Sequence, residues 1–154
     1  MNKITEKEAL LRLTSLCARG EHCEYEMQEK MHRWELTDDE QARVMQYLTK
    51  GKFVDDERYA RAFVADKVKY GKWGRRKIEQ ALWQKRIADD IRRAALDDVA
   101  DEEYIAVLQP LLRAKRRSIK AASDYEMNMK LTRFAMGRGF TTDVIRRCMD
   151  IPEE

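Results

Sequence analysis

The residues best suited to chemistry in this chain are cations set among aromatics. Between Lys67 and Arg86 stand Lys67, Lys69, Lys72, Arg75, Arg76, Lys77, Lys85 and Arg86, with Glu79 as the sole carboxylate of the stretch. Tyr70 and Trp73 are interleaved with them. Cations at that density make a site for an anion, and aromatic rings among them offer faces on which nucleic-acid bases stack. Arg75, Arg76 and Lys77 fall in the first turn of a helix predicted to start after Gly74. The helix dipole is already positive there, so each cation costs on the order of 0.3–1 kcal/mol. An anion bound by these side chains and by free backbone N–H groups would offset that cost, and phosphate is the natural candidate. The plain alternative is a solvated helix whose charges serve solubility.

A second basic group, Arg113, Lys115, Arg116, Arg117 and Lys120, lies near the end of a predicted helix, where the dipole favours cations. Arg133, Arg138, Arg146 and Arg147 form a third. Cys17, His22 and Cys23 invite a metal reading, but the C-x4-H-C spacing is not a usual zinc arrangement and Cys17 falls on an apolar stripe. Neither metal nor other cofactor is expected. The sequence has no phosphate-binding glycine loop, no G-x-S-x-G and no H-E-x-x-H. Asp55-Asp56-Glu57 reads as helix capping, as do Asp38-Asp39 and Asp89-Asp90, so the chain is expected not to be an enzyme. Trp83, beside Leu82, is expected to pack in the core.

The elements that must position these cations repeat about every fifty residues. An apolar residue follows the end of one helix and precedes a capped second helix at Trp34-Glu35-Leu36-Thr37-Asp38, Lys85-Arg86-Ile87-Ala88-Asp89 and Arg138-Gly139-Phe140-Thr141-Thr142. Leu36 and Ile87 are 51 positions apart, Ile87 and Phe140 53. No window alternates with period two, and all nine periodic segments read as helix. The fold class expected is therefore all-α, with three tandem three-helix, helix-turn-helix-like repeats at 5–50, 53–100 and 101–151 in an elongated, curved array.

Within this frame, Thr5 with Glu8, Thr37 with Glu40 and Ser123 with Glu126 form capping boxes. Gly20 and Gly139 end helices, and Gly71 and Gly74 bracket a tight turn. Pro110 predicts a kink or a helix start near Gln109.

Charged residues make up 38% of the 154, which suits a helical protein with much surface per residue. The net charge of +3 is uneven: residues 1–50 carry net −2, residues 51–100 net +4 and residues 101–154 net +1. That balance is mild for a pure nucleic-acid binder and fits a partner that is part protein, part nucleic acid. The start of the sequence reads as a charged amphipathic helix rather than a signal peptide, and no apolar run approaches a membrane span. The protein is expected in the cytoplasm, with reduced thiols, as a monomer without membrane contact.

The stretch Phe53-Val54-Asp55-Asp56-Glu57-Arg58-Tyr59-Ala60, then Lys69-Tyr70-Gly71, then Ile78 to Ile87 with Leu82 and Lys85, resembles the signature of the RecX family. Gly139-Phe140 and the Thr142-Asp143-Val144-Ile145 that follows resemble that family's third repeat. Arg86 stands where the family usually has glycine, which predicts a differently built joint. The resemblance implies a regulator that binds the RecA recombinase and its filaments on single-stranded DNA and suppresses ATP hydrolysis, strand exchange and co-protease activity, with a place in DNA repair and the SOS response. On the residues alone, a helix-turn-helix protein that binds duplex DNA without RecA and a helical adaptor for protein partners remain open.

Overall fold

A computed structural model describes residues 3–149. The described residues form nine α-helices and no strand: α1 (Glu6–Cys17), α2 (Glu24–Arg33), α3 (Asp38–Lys50), α4 (Asp56–Asp66), α5 (Arg75–Gln84), α6 (Asp89–Asp97), α7 (Asp101–Ser118), α8 (Asp124–Gly137) and α9 (Thr142–Met149). One π-helical turn, Lys67–Gly71, continues the end of α4. Ile151, the expected end of the third repeat, lies outside the described residues.

The repeat seen in the sequence is a repeat of backbone geometry. At each joint the middle residue is left-handed: φ is 59° at Glu35, 56° at Arg86 and 93° at Gly139. The amide of the next residue then reaches back five positions, Leu36 to the Met31 carbonyl, Ile87 to Leu82 and Phe140 to Ala135, each at 3.2 Å. This is the Schellman closure, which satisfies carbonyls otherwise orphaned at a helix end. Its apolar partners are all buried: Met31 with Leu36, Leu82 with Ile87, Ala135 with Phe140. Burying both ends of the closure fixes the angle at which the next helix leaves.

Arg86 overturns the expectation of a differently built joint, because it adopts the left-handed conformation that glycine would. The strain costs about 1–2 kcal/mol for a residue with a Cβ. Part of it is offset where the Arg86 guanidinium lies 4.9 Å from the Tyr25 ring centroid. Arg86→Gly is therefore expected to be about 1 kcal/mol more stable than Arg86→Ala in urea unfolding, the reverse of the usual order of these two residues. An alanine variant at least as stable as the glycine one would mean that the joint is not strained.

The third helix of each set opens on the residue after the apolar one. The Thr37 hydroxyl accepts from the Glu40 amide and Glu40 reaches back to Thr37, a full capping box. Thr141 accepts from the Val144 amide at 3.2 Å, so Thr141 rather than Thr142 caps α9. In the second set the capping position is Ala88, and Asp89 and Asp90 lie in the first turn of α6 instead. Other boundaries also moved. At α1 the Thr5 hydroxyl accepts from the Glu8 amide and donates to the Glu8 carboxylate, and the helix ends at Cys17 with Ala18, not Gly20, as its C-cap. Ser123 caps α8 as expected, accepting from the Glu126 amide. Pro110 sits inside a continuous α7, so no helix starts near Gln109. Its missing N–H and the carbonyl it displaces are tolerated on the exposed side of the helix.

Two compact units are distinguished. One consists of the residues up to Ala62 together with Leu82–Arg92, the other of Phe63–Ala81 together with the residues from Arg93 on. The first packs α1 and α2 on α3 around Ala9, Leu13, Met27, Met31, Leu36, Val44, Leu48 and Val54. The second packs α7 against α8, α9 and the π-turn, and its buried side chains include Tyr104, Ile105, Leu108, Leu131, Phe140, Val144 and Ile145.

Candidate functional site

Two groups of residues stand out in the sequence, the signature residues and the cations, and the structure gives them different work. The signature residues at 53–60 and 82–87 build the first unit, whereas Gly71, Gly139 and Phe140 belong to the second. Asp55 caps α4, its carboxylate accepting from the Glu57 and Arg58 amides at 3.0 and 3.1 Å. Those two amides hold the Asp55 carboxyl below its usual range, the Arg58 bond having the larger effect. Asp56 instead accepts from the Glu24 amide at 2.9 Å and so caps α2, a helix thirty residues away in the chain. Arg58 pairs with Glu21 at 2.7 Å and donates to the Lys52 and Phe53 carbonyls. Tyr59 and Ala60 are buried. Leu82 and Ile87 close the second joint, and Lys85 pairs with Glu26 at 3.2 Å. The aspartate pair is thus a double cap: one carboxylate starts its own helix and the next starts a neighbour's.

Cys23, the residue before α2, is buried, and burial pushes its thiol up to about 12. The Cys17 sulfur lies 4.0 Å from that of Met27, on the edge of the apolar core. Both cysteines therefore have packing roles. Among the described residues no group of three or more His, Cys, Asp or Glu is placed to hold a metal.

The cations of the first two groups, Lys85 and Arg86 excepted, fall in the second unit. After the π-turn, Lys72 takes a left-handed conformation (φ 56°), and the Trp73 amide donates back to the Lys67 carbonyl at 3.0 Å. The Trp73 ring is flanked by two ammonium groups, Lys77 at 4.4 Å and Lys67 at 4.9 Å from its centroid. Lys67 also approaches Phe63 at 5.4 Å and Asp66 at 3.8 Å. The indole face is already engaged, so Trp73 holds cations in place and is not an open stacking platform. Tyr70 is the exposed ring of this segment, at 72%, with Lys69 5.2 Å from its centroid.

The start of α5 corrects the phosphate reading. The Gly74 amide donates to the Arg138 carbonyl and the Arg76 amide to the Gly139 carbonyl, both at 2.9 Å. Two of the donors expected to meet phosphate are thus taken by the third joint of the chain's own backbone. Close backbone approach makes this possible: a Cβ on Gly74 would overlap the backbone of Phe140, and one on Gly139 the backbone of Lys77. Arg75 pairs with Asp97 at 2.7 Å. Arg76 remains solvent-facing, without an ion pair among the described residues.

On α7, Lys115 lies 5.1 Å from the Phe134 centroid and Arg138 5.6 Å from the same ring. Arg113, Arg116 and Arg117 are exposed along the C-terminal half of the helix. In the third group Arg146 and Arg147 pair with Asp143, and Arg147 also with Asp101 and Glu102, which ties α9 to the start of α7. Lys69, Lys72, Arg76, Arg86, Arg113, Arg117 and Lys120 are the solvent-facing cations of the two predicted groups that carry no ion pair among the described residues.

Sequence reasoning misplaced Trp83. It is 64% exposed on α5, on the face shared with Arg76, Glu79 and Gln80, while its neighbour Leu82 is fully buried. The spacing Ile78–Leu82 already fixes the buried stripe, and Trp83, one position on, is turned off it by about 100°.

Family models match twice: one described as the second three-helix domain of RecX over residues 55–96, and one as its third three-helix domain over residues 101–149. The regulatory protein RecX of Vibrio campbellii is 30% identical over 153 residues, covering 98% of this chain and 94% of that protein. The regulatory protein RecX of Lactobacillus delbrueckii subsp. bulgaricus is 29% identical over 147 residues, covering 92% of this chain, which spans about half (54%) of the Lactobacillus protein's length. In fold the chain is similar to the crystal structure of a regulatory protein RecX (TM-score 0.86, 18% identity, 95% of this chain and 73% of that one) and to that of RecX from Lactobacillus salivarius (TM-score 0.85, 19% identity, 94% of each chain). Tandem three-helix sets, each with a left-handed corner before its third helix, two of them matched by family models, and a relative at this identity over 94% of its length make one conclusion: the chain belongs to the RecX family.

Proposed function

We propose that this chain is a non-enzymatic modulator that binds RecA and RecA–single-stranded DNA filaments and lowers their recombinase, ATPase and co-protease activities. The regulatory role named for its relatives supports the partner, and the solvent-facing cations of the second unit support the contact. The single observation that carries the reading is the set Lys69, Lys72 and Arg76, left facing solvent while their neighbours Arg75 and Lys77 are engaged within the chain. Arg76 is retained in the first turn of α5, where the dipole disfavours a cation, and Lys69 and Lys72 are exposed just before it, so this surface is electrostatically primed for an anionic partner. DNA phosphate and acidic protein surface both answer that description. Arg113, Lys115, Arg116 and Arg117 extend the same unit's positive surface, with Lys115 held against Phe134. The three-helix repeats act as units at 5–50, 53–100 and 101–151, and the middle and last supply the main contacts.

The test is the ATPase rate of RecA on single-stranded DNA with this protein added. The rate is expected to fall to a plateau as the protein saturates the filament. An unchanged rate at saturation removes RecA as the target, and sequence-selective binding to duplex DNA with a steep salt slope would then favour a helix-turn-helix DNA binder.

A further inference from the structure

The first unit carries a groove that neither the signature nor the cations account for. It lies between α2 and α3, encloses about 900 Å3, and is lined on one side by Glu24, Tyr25, Gln28, Glu29 and His32 and on the other by Asp38, Gln41, Met45 and Gln46. We propose that this groove is a docking site for an arginine- or lysine-bearing segment of a protein partner. The cations assigned to RecA and DNA belong to the other unit, so this site stands independently of that reading.

Charge, depth and an internal example all point to a cationic occupant. The wall residues Glu24, Glu29 and Asp38 outweigh the single cation, Arg86, at the rim. Three amide side chains, Gln28, Gln41 and Gln46, offer carbonyl oxygens to donors, while Met45 and the Tyr25 ring supply apolar surface for the stem of a long side chain. Arg86 shows the fit directly: it is a guanidinium of the chain itself, seated 4.9 Å from the Tyr25 centroid. A planar cation thus already finds an aromatic face in a groove that Glu29, Met45 and Thr49 also line. An anionic segment would meet three carboxylates instead. Asp38 is accounted for by its favourable place in the first turn of α3, whereas Glu29, in the middle of α2, has no such dipole benefit.

The probe is a fluorescein-labelled nine-residue peptide of alternating arginine and alanine with a blocked C-terminus, titrated into the full chain and followed by anisotropy. Weak saturable binding is expected, with amide NMR perturbations centred on Tyr25, Gln28, Gln41 and Met45. Glu29→Lys/Asp38→Lys is expected to weaken it at least about 10-fold, because two attractive charges become repulsive ones. The milder Glu29→Gln/Asp38→Asn, which keeps side-chain shape and leaves the Thr37 cap of α3 untouched, is expected to weaken it about 3- to 5-fold. The control Asp98→Lys/Glu103→Lys makes the same charge change at exposed positions outside the groove, one of them also in a helix first turn, and should change affinity less than about 2-fold. Equal weakening by control and groove variants, or perturbations centred elsewhere, overturns the proposal. So does concentration-dependent dimerisation of the chain alone that the groove variants abolish, which would assign the groove to a second copy.

Discussion

Gly74→Ala is expected to destabilise the protein by at least about 3 kcal/mol, lowering the melting temperature by roughly 6–12 °C. Gly74 is buried at the start of α5, and its amide donates to the Arg138 carbonyl while the Arg76 amide takes the Gly139 carbonyl. The new Cβ would overlap backbone atoms of Phe140, not the yielding end of a side chain. Backbone cannot rotate away as a lysine tip can, so the α5 start and the third joint must separate. Two hydrogen bonds and the burial of Phe140 are then put at risk together. Gly137→Ala is the control, because a Cβ there meets nothing within 4 Å and the position ends a helix, where alanine is favoured by up to about 1 kcal/mol. Thermal unfolding followed by circular dichroism checks both. A Gly74→Ala variant that melts with the parent would mean that the joint yields freely and does not fix the start of α5.

The triple reversal Lys69→Glu/Lys72→Glu/Arg76→Glu is expected to raise the concentration needed for half-maximal inhibition of the RecA ATPase by about 30-fold. That figure takes roughly 0.7 kcal/mol for each exposed ion pair with the partner that the reversal removes. All three side chains face solvent and carry no ion pair among the described residues, so the fold should tolerate the change. Lys72 keeps a side chain in a left-handed corner that glycine would occupy at lower cost, which is consistent with a need for charge at that point. The salt dependence of binding to free single-stranded DNA separates the two anionic partners. If the cations meet phosphate, the slope of log affinity against log salt should fall by about 2, near 0.7 for each cation. If they meet an acidic surface of RecA, that slope stays while inhibition disappears. Retained inhibition and an unaltered slope together would move the interface away from this segment.

Arg75 and Arg76 cannot be treated as a pair, although they are adjacent in sequence. Arg75 reaches Asp97 and forms a bridge at 2.7 Å, whereas Arg76, about 100° further round α5, faces solvent beside the stripe that carries Trp83. Charge density along a sequence counts both alike; only the direction of each side chain on the finished helix distinguishes them.

Local chemistry was legible in the sequence wherever a residue's role is settled by its near neighbours. The helical class, the three repeated joints, the caps at Thr37 and Ser123 and the buried stripes through Leu13, Val44, Ile78, Leu131 and Val144 all follow from interactions within about five residues along the chain. The tertiary structure alone decided what depends on partners far along the chain. It turned Asp56 into the cap of α2, placed Arg86 in a left-handed corner over Tyr25, left Trp83 in solvent and filled the start of α5 with the carbonyls of Arg138 and Gly139. The reason is that a backbone N–H or a carboxylate is satisfied by whichever acceptor or donor the packing of distant helices brings within about 3 Å, and spacing in sequence carries no record of that distance.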